Sequence, residues 1–183
     1  MRITILNGNP DPSHRAFDEY VGHLGVAWQN RGHEVRVLGL RDINLASCVG
    51  CFDCWLKTPG RCIARDSHPD LIRAYLDAHL VVAASPLCMG FTSAVLKKAT
   101  DKLIPVLLPY IDGSSGECRH YLRYGRAPAL GVLFEPETDT DAEDVEIVAT
   151  LWRRFTRNAN TRLSFVRSTS DPIEEVTREV DSL

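Results

Sequence analysis

Residues 80–84 read Leu-Val-Val-Ala-Ala, an unbroken apolar run with two β-branched residues and no polar face. It ends at Ser85-Pro86, too soon for a helix. Such a run fits a strand buried on both faces, which requires a parallel sheet with helices packed on either side. Other segments meet that requirement. Short strand-like runs occupy residues 3–6, 35–40, 129–134 and 163–166. Between them lie helical spacings: Phe17, Val21, Leu24 and Trp28, closed by Gly32; Val95 or Leu96, Ala99 and Leu103; Val145, Val148, Leu151 or Trp152, and Phe155. A last helix follows Asp171-Pro172, with Ile173, Val176 and Val180 inward.

With the helix that the connection 41–67 leads into, five strands alternate with five helical segments and specify an α/β, doubly wound parallel sheet. The flavodoxin-like order 2-1-3-4-5 has this content. A dinucleotide-binding Rossmann fold would need G-x-G-x-x-G after the first strand. That turn instead reads Gly8-Asn9-Pro10-Asp11-Pro12-Ser13. The expectation is one flavodoxin-like domain over residues 1–183.

Partners are bounded by charge and hydropathy. The net charge is −3, which gives no bulk attraction to nucleic acid or anionic membrane. No apolar run approaches the roughly 18 residues of a membrane span, and the apolar start at residues 3–6 is too short for a signal peptide. The reading is a cytoplasmic protein. Its six cysteines then suggest metal or redox chemistry rather than a disulfide framework.

In an open parallel sheet, ligands sit outside the carboxyl ends of the strands near the switch in strand order. Three loops meet there: residues 8–13, 85–92 and 135–140. The first opens a helix, whose unpaired N–H groups and dipole favour a phosphate. Ser13 adds a hydroxyl there, and His14 or Arg15 adds positive charge. Ser13 reads equally as a plain N-cap. The second loop, Ser85-Pro86-Leu87-Cys88-Met89-Gly90-Phe91-Thr92-Ser93, is small enough at Gly90 for a planar ring to approach the backbone. It also reads as an ordinary strand-to-helix turn capped by Thr92.

On these residues the chain resembles the NADPH-dependent FMN reductase and multimeric flavodoxin family. Gly8-Asn9-Pro10 looks like its Gly-Ser-Pro phosphate loop. Ser85-Pro86-Leu87-Cys88-Met89-Gly90, with Ser93 and Lys97, looks like its isoalloxazine loop. Cys48-Val49-Gly50-Cys51-Phe52-Asp53-Cys54-Trp55 looks like its cysteine-rich segment. The resemblance implies FMN, with its phosphate on Asn9, Pro10, Ser13, His14 and Arg15. It places the ring on Ser85, Pro86, Leu87, Cys88, Met89, Gly90 and Phe91. Asn9 stands where the family has Ser, removing a hydroxyl. Cys88 stands where an aromatic often flanks the ring.

Cys48, Cys51, Cys54 and Cys62 are spaced Cys-x2-Cys-x2-Cys-x7-Cys. The first three match ligands that converge on a four-iron cluster, and the segment is similar to the iron–sulfur flavoprotein subfamily, which implies a 4Fe-4S cluster. Two other readings stay open: free or redox-active thiols, with Cys51 and Cys54 a Cys-x-x-Cys pair, and a zinc site. The segment follows the second strand, which predicts a position at the flavin end of the sheet.

The long connection 105–128 holds the apolar run at 107–111, and also Arg119, His120, Tyr121, Arg123, Tyr124 and Arg126. It is read as the interface of a homodimer or tetramer, or as a contact for a nicotinamide phosphate. The acidic stretch 135–144 reads as a loop and helix start. No catalytic triad or carboxylate pair stands out, as expected when a flavin carries the chemistry. The leading expectation is an FMN-dependent oxidoreductase that takes electrons from NAD(P)H and reduces a quinone, free flavin or small electrophile. The alternative is an electron carrier that docks a redox protein.

Overall fold

The structure, a computed structural model, describes every residue except Ser115 and Ser182. Ser115 belongs to the 105–128 connection, so that part of the proposed interface lies outside the described residues. The elements run β1 (Arg2–Asn7), α1 (Arg15–Asn30), β2 (Glu34–Gly39), α2 (Asp53–Leu56), α3 (His68–Asp77) and β3 (Leu80–Cys88). After β4 (Phe91–Thr92) and α4 (Ala94–Asp101) come β5 (Leu107–Asp112), β6 (Arg119–Leu122) and β7 (Ala129–Glu135). The chain closes with α5 (Ala142–Asn158), β8 (Leu163–Ser168) and α6 (Ile173–Arg178).

The main sheet has the order β2-β1-β3-β7-β8, and each of these pairings is parallel. This is the flavodoxin-like order expected from the sequence. Alternate side chains of each strand face opposite layers. Ile3, Ile5, Leu80, Val82 and Leu133 pack against Phe17, Leu24 and Trp28 of α1 and Val176 of α6. Leu6, Val81, Ala83, Leu130 and Val132 pack under α3, α4 and α5, against Leu71, Leu96 and Trp152 among others.

Two segments depart from expectation. β3 runs on past residue 84 to Cys88 and turns back into β4, with Cys88 opposite Phe91. Met89 and Gly90 both have positive φ, 54° and 72°, as a two-residue hairpin turn of the I′ kind requires. The connection 105–128 is an antiparallel hairpin, β5–β6, with its register broken between Leu107 and Ile111, around Pro109. Side chains pin that hairpin to carbonyl groups: Arg123 Nε donates to Pro105 O at 2.9 Å and Arg126 Nη1 to Ala78 O at 3.0 Å. Arg123 and Arg126, candidates for a nicotinamide phosphate, are therefore structural.

Candidate functional site

The loops after β1 and β3 are locked together. Gly8 N donates to Ala84 O at 2.7 Å, and Ser93 Oγ donates to Gly8 O at 2.5 Å. Ser93, rather than Thr92, caps α4: its hydroxyl accepts from Leu96 N at 3.2 Å. Its own N–H donates to Ser85 Oγ at 2.9 Å. A Cβ on Gly8 would lie 2.7 Å from Leu96 Cβ and 2.9 Å from Ala84 O, distances that real side chains do not tolerate. Glycine is what lets the first loop lie against the start of α4.

Within the first loop the side chains mostly shape the backbone. Asn9 is fully buried. Its amide donates to His14 O at 3.0 Å and its carbonyl accepts from Asp11 N at 3.0 Å, so its polar groups turn inward. Ser13 does not cap α1. Its N–H and hydroxyl both donate to Asp11 Oδ1, at 2.8 and 2.7 Å, and these bonds hold the Asp11 carboxyl below its ordinary range. The cap position falls to His14, which makes no side-chain cap hydrogen bond; the orphan N–H groups of the first turn therefore have no side-chain acceptor there. His14 Nε2 instead lies 3.1 Å from Glu135 Oε2, at the end of β7. Pro10 and Arg15 are exposed beside this opening.

Arg41, which follows β2, was not singled out from the sequence. Its Nη1 donates to Asn9 O at 3.3 Å and its Nη2 to Asp18 Oδ2 at 2.8 Å. Asp18 also accepts from Asn7 Nδ2 at 2.8 Å. Burial opposes the charge on Asp18, but the bonds from Arg41 and Asn7 outweigh it and keep the carboxyl below its usual range. The signal available was position: a basic residue at a strand end behind a phosphate-type loop.

The second loop presents two adjacent donors. Met89 N and Gly90 N donate to the two carboxylate oxygens of Glu137, at 2.9 and 2.8 Å. Met89 is 94% exposed, and nothing lies within 4 Å of a Cβ built on Gly90, so the turn faces open space. Cys88 and Phe91 are exposed beside it. Leu87 is not: it packs in the core beneath the helices, because β3 continues through it and the strand alternation turns it inward. Ser85 is buried, its hydroxyl donating to Pro86 O at 2.7 Å while it accepts from Ser93.

The cysteine segment lies elsewhere. Cys62 Sγ accepts from Lys102 Nζ at 3.1 Å, and Lys102 is the residue that ends α4. Eight helical residues at 1.5 Å each put Lys102 roughly 12 Å along the helix axis from Ser93. The segment expected at the flavin end thus packs against the far end of α4. Trp55 fastens it, donating to Ile104 O and Leu107 O at 3.2 and 3.0 Å and stacking on Phe52 at 5.2 Å. Lys102 and Asp66 are both 2% exposed and 2.9 Å apart. Burial opposes ionisation of each; their mutual bond, with the Ala46 and His68 N–H groups on Asp66, outweighs it, lowering the carboxyl and raising the ammonium. Burial and then the neighbouring Cys62, Cys48 and Cys51 thiols push the Cys54 thiol up. The thiols therefore share one neighbourhood. Among the described residues, however, no three His, Cys, Asp or Glu side chains converge as a metal site. The cysteines as arranged do not form a cluster cradle.

The sequence profile of the NADPH-dependent FMN reductase family matches residues 1–113, which span both strand-end loops. The chain belongs to this family. It is also similar to an iron–sulfur flavoprotein of Archaeoglobus fulgidus, 26% identical over 102 residues, covering 56% of this chain and 48% of that protein. An iron–sulfur flavoprotein of Methanocaldococcus jannaschii is 26% identical over 110 residues, covering 60% and 55%. The chain thus spans about half the length of the curated relatives it matches. Among solved structures, an azoreductase from Bacillus anthracis superposes with a TM-score of 0.67 at 12% identity over 100% of both chains. An FMN-dependent NADH-azoreductase from the same species, in complex with FMN, gives 0.60 at 14% identity, over 99% of this chain and 94% of that one. At such identities the likeness establishes the fold. Among the described residues, no helix is long and apolar enough to cross a membrane.

The site geometry fits the family's flavin. The uncapped start of α1 offers N–H groups for a phosphate. The paired Met89 and Gly90 donors, now on Glu137, face the open side of the turn, where a ring edge would find the same two hydrogen bonds.

Proposed function

We propose that this FMN reductase family member binds FMN across the loops after β1 and β3 and uses it to pass electrons from NAD(P)H to a quinone, free flavin or small electrophile. FMN supplies the hydride- and electron-accepting chemistry when bound. The chain supplies place and polarity. The α1 start with Ser13, His14 and Arg15 would hold the phosphate; Arg41, paired to Asp18, braces that loop from behind. Met89 and Gly90 N–H groups would orient the ring edge, with Pro86, Cys88 and Phe91 around it. The observation that carries this reading is the Ser93–Gly8 tie, which joins the loop leading to the uncapped start of α1 to the loop bearing the paired-donor turn.

The exposed apolar side chains of the β5–β6 hairpin, Tyr110 at 67% and Ile111 at 59%, support a homodimer or tetramer that buries them. A stable monomer by light scattering at micromolar concentration refutes that part. For the chemistry, purified protein loaded with FMN should oxidise NADH or NADPH in the presence of a quinone. Gly90→Val, which adds a β-branched side chain at φ 72°, should release the flavin. Retention of stoichiometric FMN by that variant overturns the ring placement, and bound FMN without NAD(P)H oxidation selects the electron-carrier reading. The shared neighbourhood of the four thiols supports a second reading, an iron–sulfur centre that forms only on rearrangement of this segment. Iron and acid-labile sulfide in anaerobically purified protein decide it, and Cys51→Ala should then remove iron and leave FMN.

A further inference from the structure

Arg119 did not follow Arg123 and Arg126 into carbonyl bonds. It lines a cavity of about 760 Å³ with Arg153, Arg154, Arg157 and Arg162. Arg153, Arg154 and Arg157, with Thr150, share one face of α5, at spacings of three, four and seven residues. Arg119 enters from the hairpin and Arg162 from the start of β8. The bland explanation is a helix end enriched in arginine to complement its dipole. It covers Arg157, in the last turn, but not Arg119 or Arg162, which lie outside the helix.

The charge is not balanced by the neighbours. Arg119 pairs with Asp112 at 2.8 Å, Arg153 with Glu146 at 3.0 Å, and Arg154 with Glu117 at 2.8 Å; Arg157 shares the same Glu117 carboxylate. Three carboxylates answer five guanidiniums. Arg162 makes no side-chain hydrogen bond or ion pair among the described residues. The three carboxylates paired with the other four are not among the lining residues, so the cavity itself presents guanidinium groups without acidic neighbours in its wall. Leu163 is the one apolar side chain among the lining residues, so the cavity offers charge and hydrogen-bond donors in place of apolar surface.

We infer that this cavity binds a small polyanion with clustered phosphate groups, whose oxygen pairs match the guanidinium fork. It is separate from the flavin site. Thr161 Oγ1 donates to Pro128 O, and Leu130 N to Arg162 O, which places the cavity at the amino ends of β7 and β8. The flavin loops are at the carboxyl ends, about 20 Å away along a seven-residue strand. A ligand here would not hand hydride to a flavin in the same chain.

The test is calorimetric titration of the FMN-loaded protein in 150 mM KCl with tripolyphosphate, pyrophosphate and ATP, against sulfate at equal ionic strength. A single saturable site is expected, with tripolyphosphate bound more tightly than pyrophosphate and sulfate weakest. Arg162→Ala, which strands no partner, and Arg153→Ala should each weaken tripolyphosphate about tenfold, with unchanged flavin absorbance. Arg73→Ala, on α3, should leave it unchanged. ATP equal to tripolyphosphate identifies a bare phosphate chain as the ligand; tighter ATP identifies a nucleotide. Absence of saturable binding, no preference over sulfate, or equal weakening by Arg73→Ala overturns the inference. Flavin loss with intact tripolyphosphate binding would count against the flavin reading alone.

Discussion

The two ends of α4 serve two different sites by two different kinds of force. At its start, Ser93 joins the loops after β1 and β3 through hydrogen bonds between neutral groups, to Gly8 O and from Leu96 N. At its end, Lys102 holds the cysteine segment through a buried ion pair with Asp66 and a bond to Cys62. Neutral bonds of this sort are individually modest and indifferent to pH. A buried ion pair gains little over apolar packing while intact, but is damaging when one partner is lost. One short helix thus has a forgiving end and an unforgiving end.

The sharpest way to break that contrast is Lys102→Ala. It leaves the Asp66 carboxylate without its cation, held only by the Ala46 and His68 N–H groups, for a loss of about 3–5 kcal/mol in urea denaturation. The double variant Lys102→Met, Asp66→Leu should recover most of it. A single variant within 1 kcal/mol of wild type would show that the pair is not the fastening it looks to be. Next in size is Gly8→Ala at the other end. The added methyl meets Leu96 and Ala84, and overpacking of this kind costs about 1–3 kcal/mol. FMN affinity, followed by flavin fluorescence, should fall with it, whereas Lys102→Ala should leave the flavin loops largely in place. Similar flavin loss in both variants would mean that the two ends are not independent.

The ends should also differ in pH response. Asp66 is lowered in the folded state, so its contribution is complete above the ordinary carboxyl value of 3.8 and is lost as pH falls through the folded value below it. Lys102 is raised, so its contribution is complete below 10.5 and is lost as pH rises through the folded value. His68, buried with Nε2 3.0 Å from Lys102 O, is lowered chiefly by burial. Its contribution is present above 6.5 and lost as pH falls below that value, because the unfolded state binds the proton first. Stability should therefore drop between pH 7.5 and 5.5, and drop less in His68→Gln. An identical drop in both assigns it to other groups. The smallest effect belongs to Glu137→Gln. Removing the charge from the group that now occupies the Met89 and Gly90 donors should tighten FMN a few-fold, since a neutral acceptor holds N–H groups less strongly. Weaker FMN binding would mean that Glu137 supports the ring instead of competing with it.

Much of the sheet was legible because burial on two faces leaves an unmistakable apolar run at residues 80–84, and the strand ends then fix where the loops meet. The hairpin was not legible: Pro109 interrupts the alternation of β5, and the register is irregular at that point. Ser13 looked like a cap because residue type alone cannot show that Asp11, two positions earlier, takes both of its donors. The cysteine segment was misplaced because residues 41–67 carry no periodic pattern, so its path across the helices was set by Trp55 and Lys102, long-range contacts invisible in spacing. The arginines of α5 form no motif in the sequence; only the fold brings Arg119 and Arg162 to them.

The left-handed turn at Met89 has one further use. The chain contains two methionines, Met1 and Met89, and the hairpin geometry projects Met89 almost wholly into solvent. Its thioether is thus a built-in footprinting probe: mild peroxide should convert it to the sulfoxide readily in the empty protein, and a ring seated over the turn should shield it. Mass spectrometry of one peptide would then report occupancy of this site without a label and without turnover.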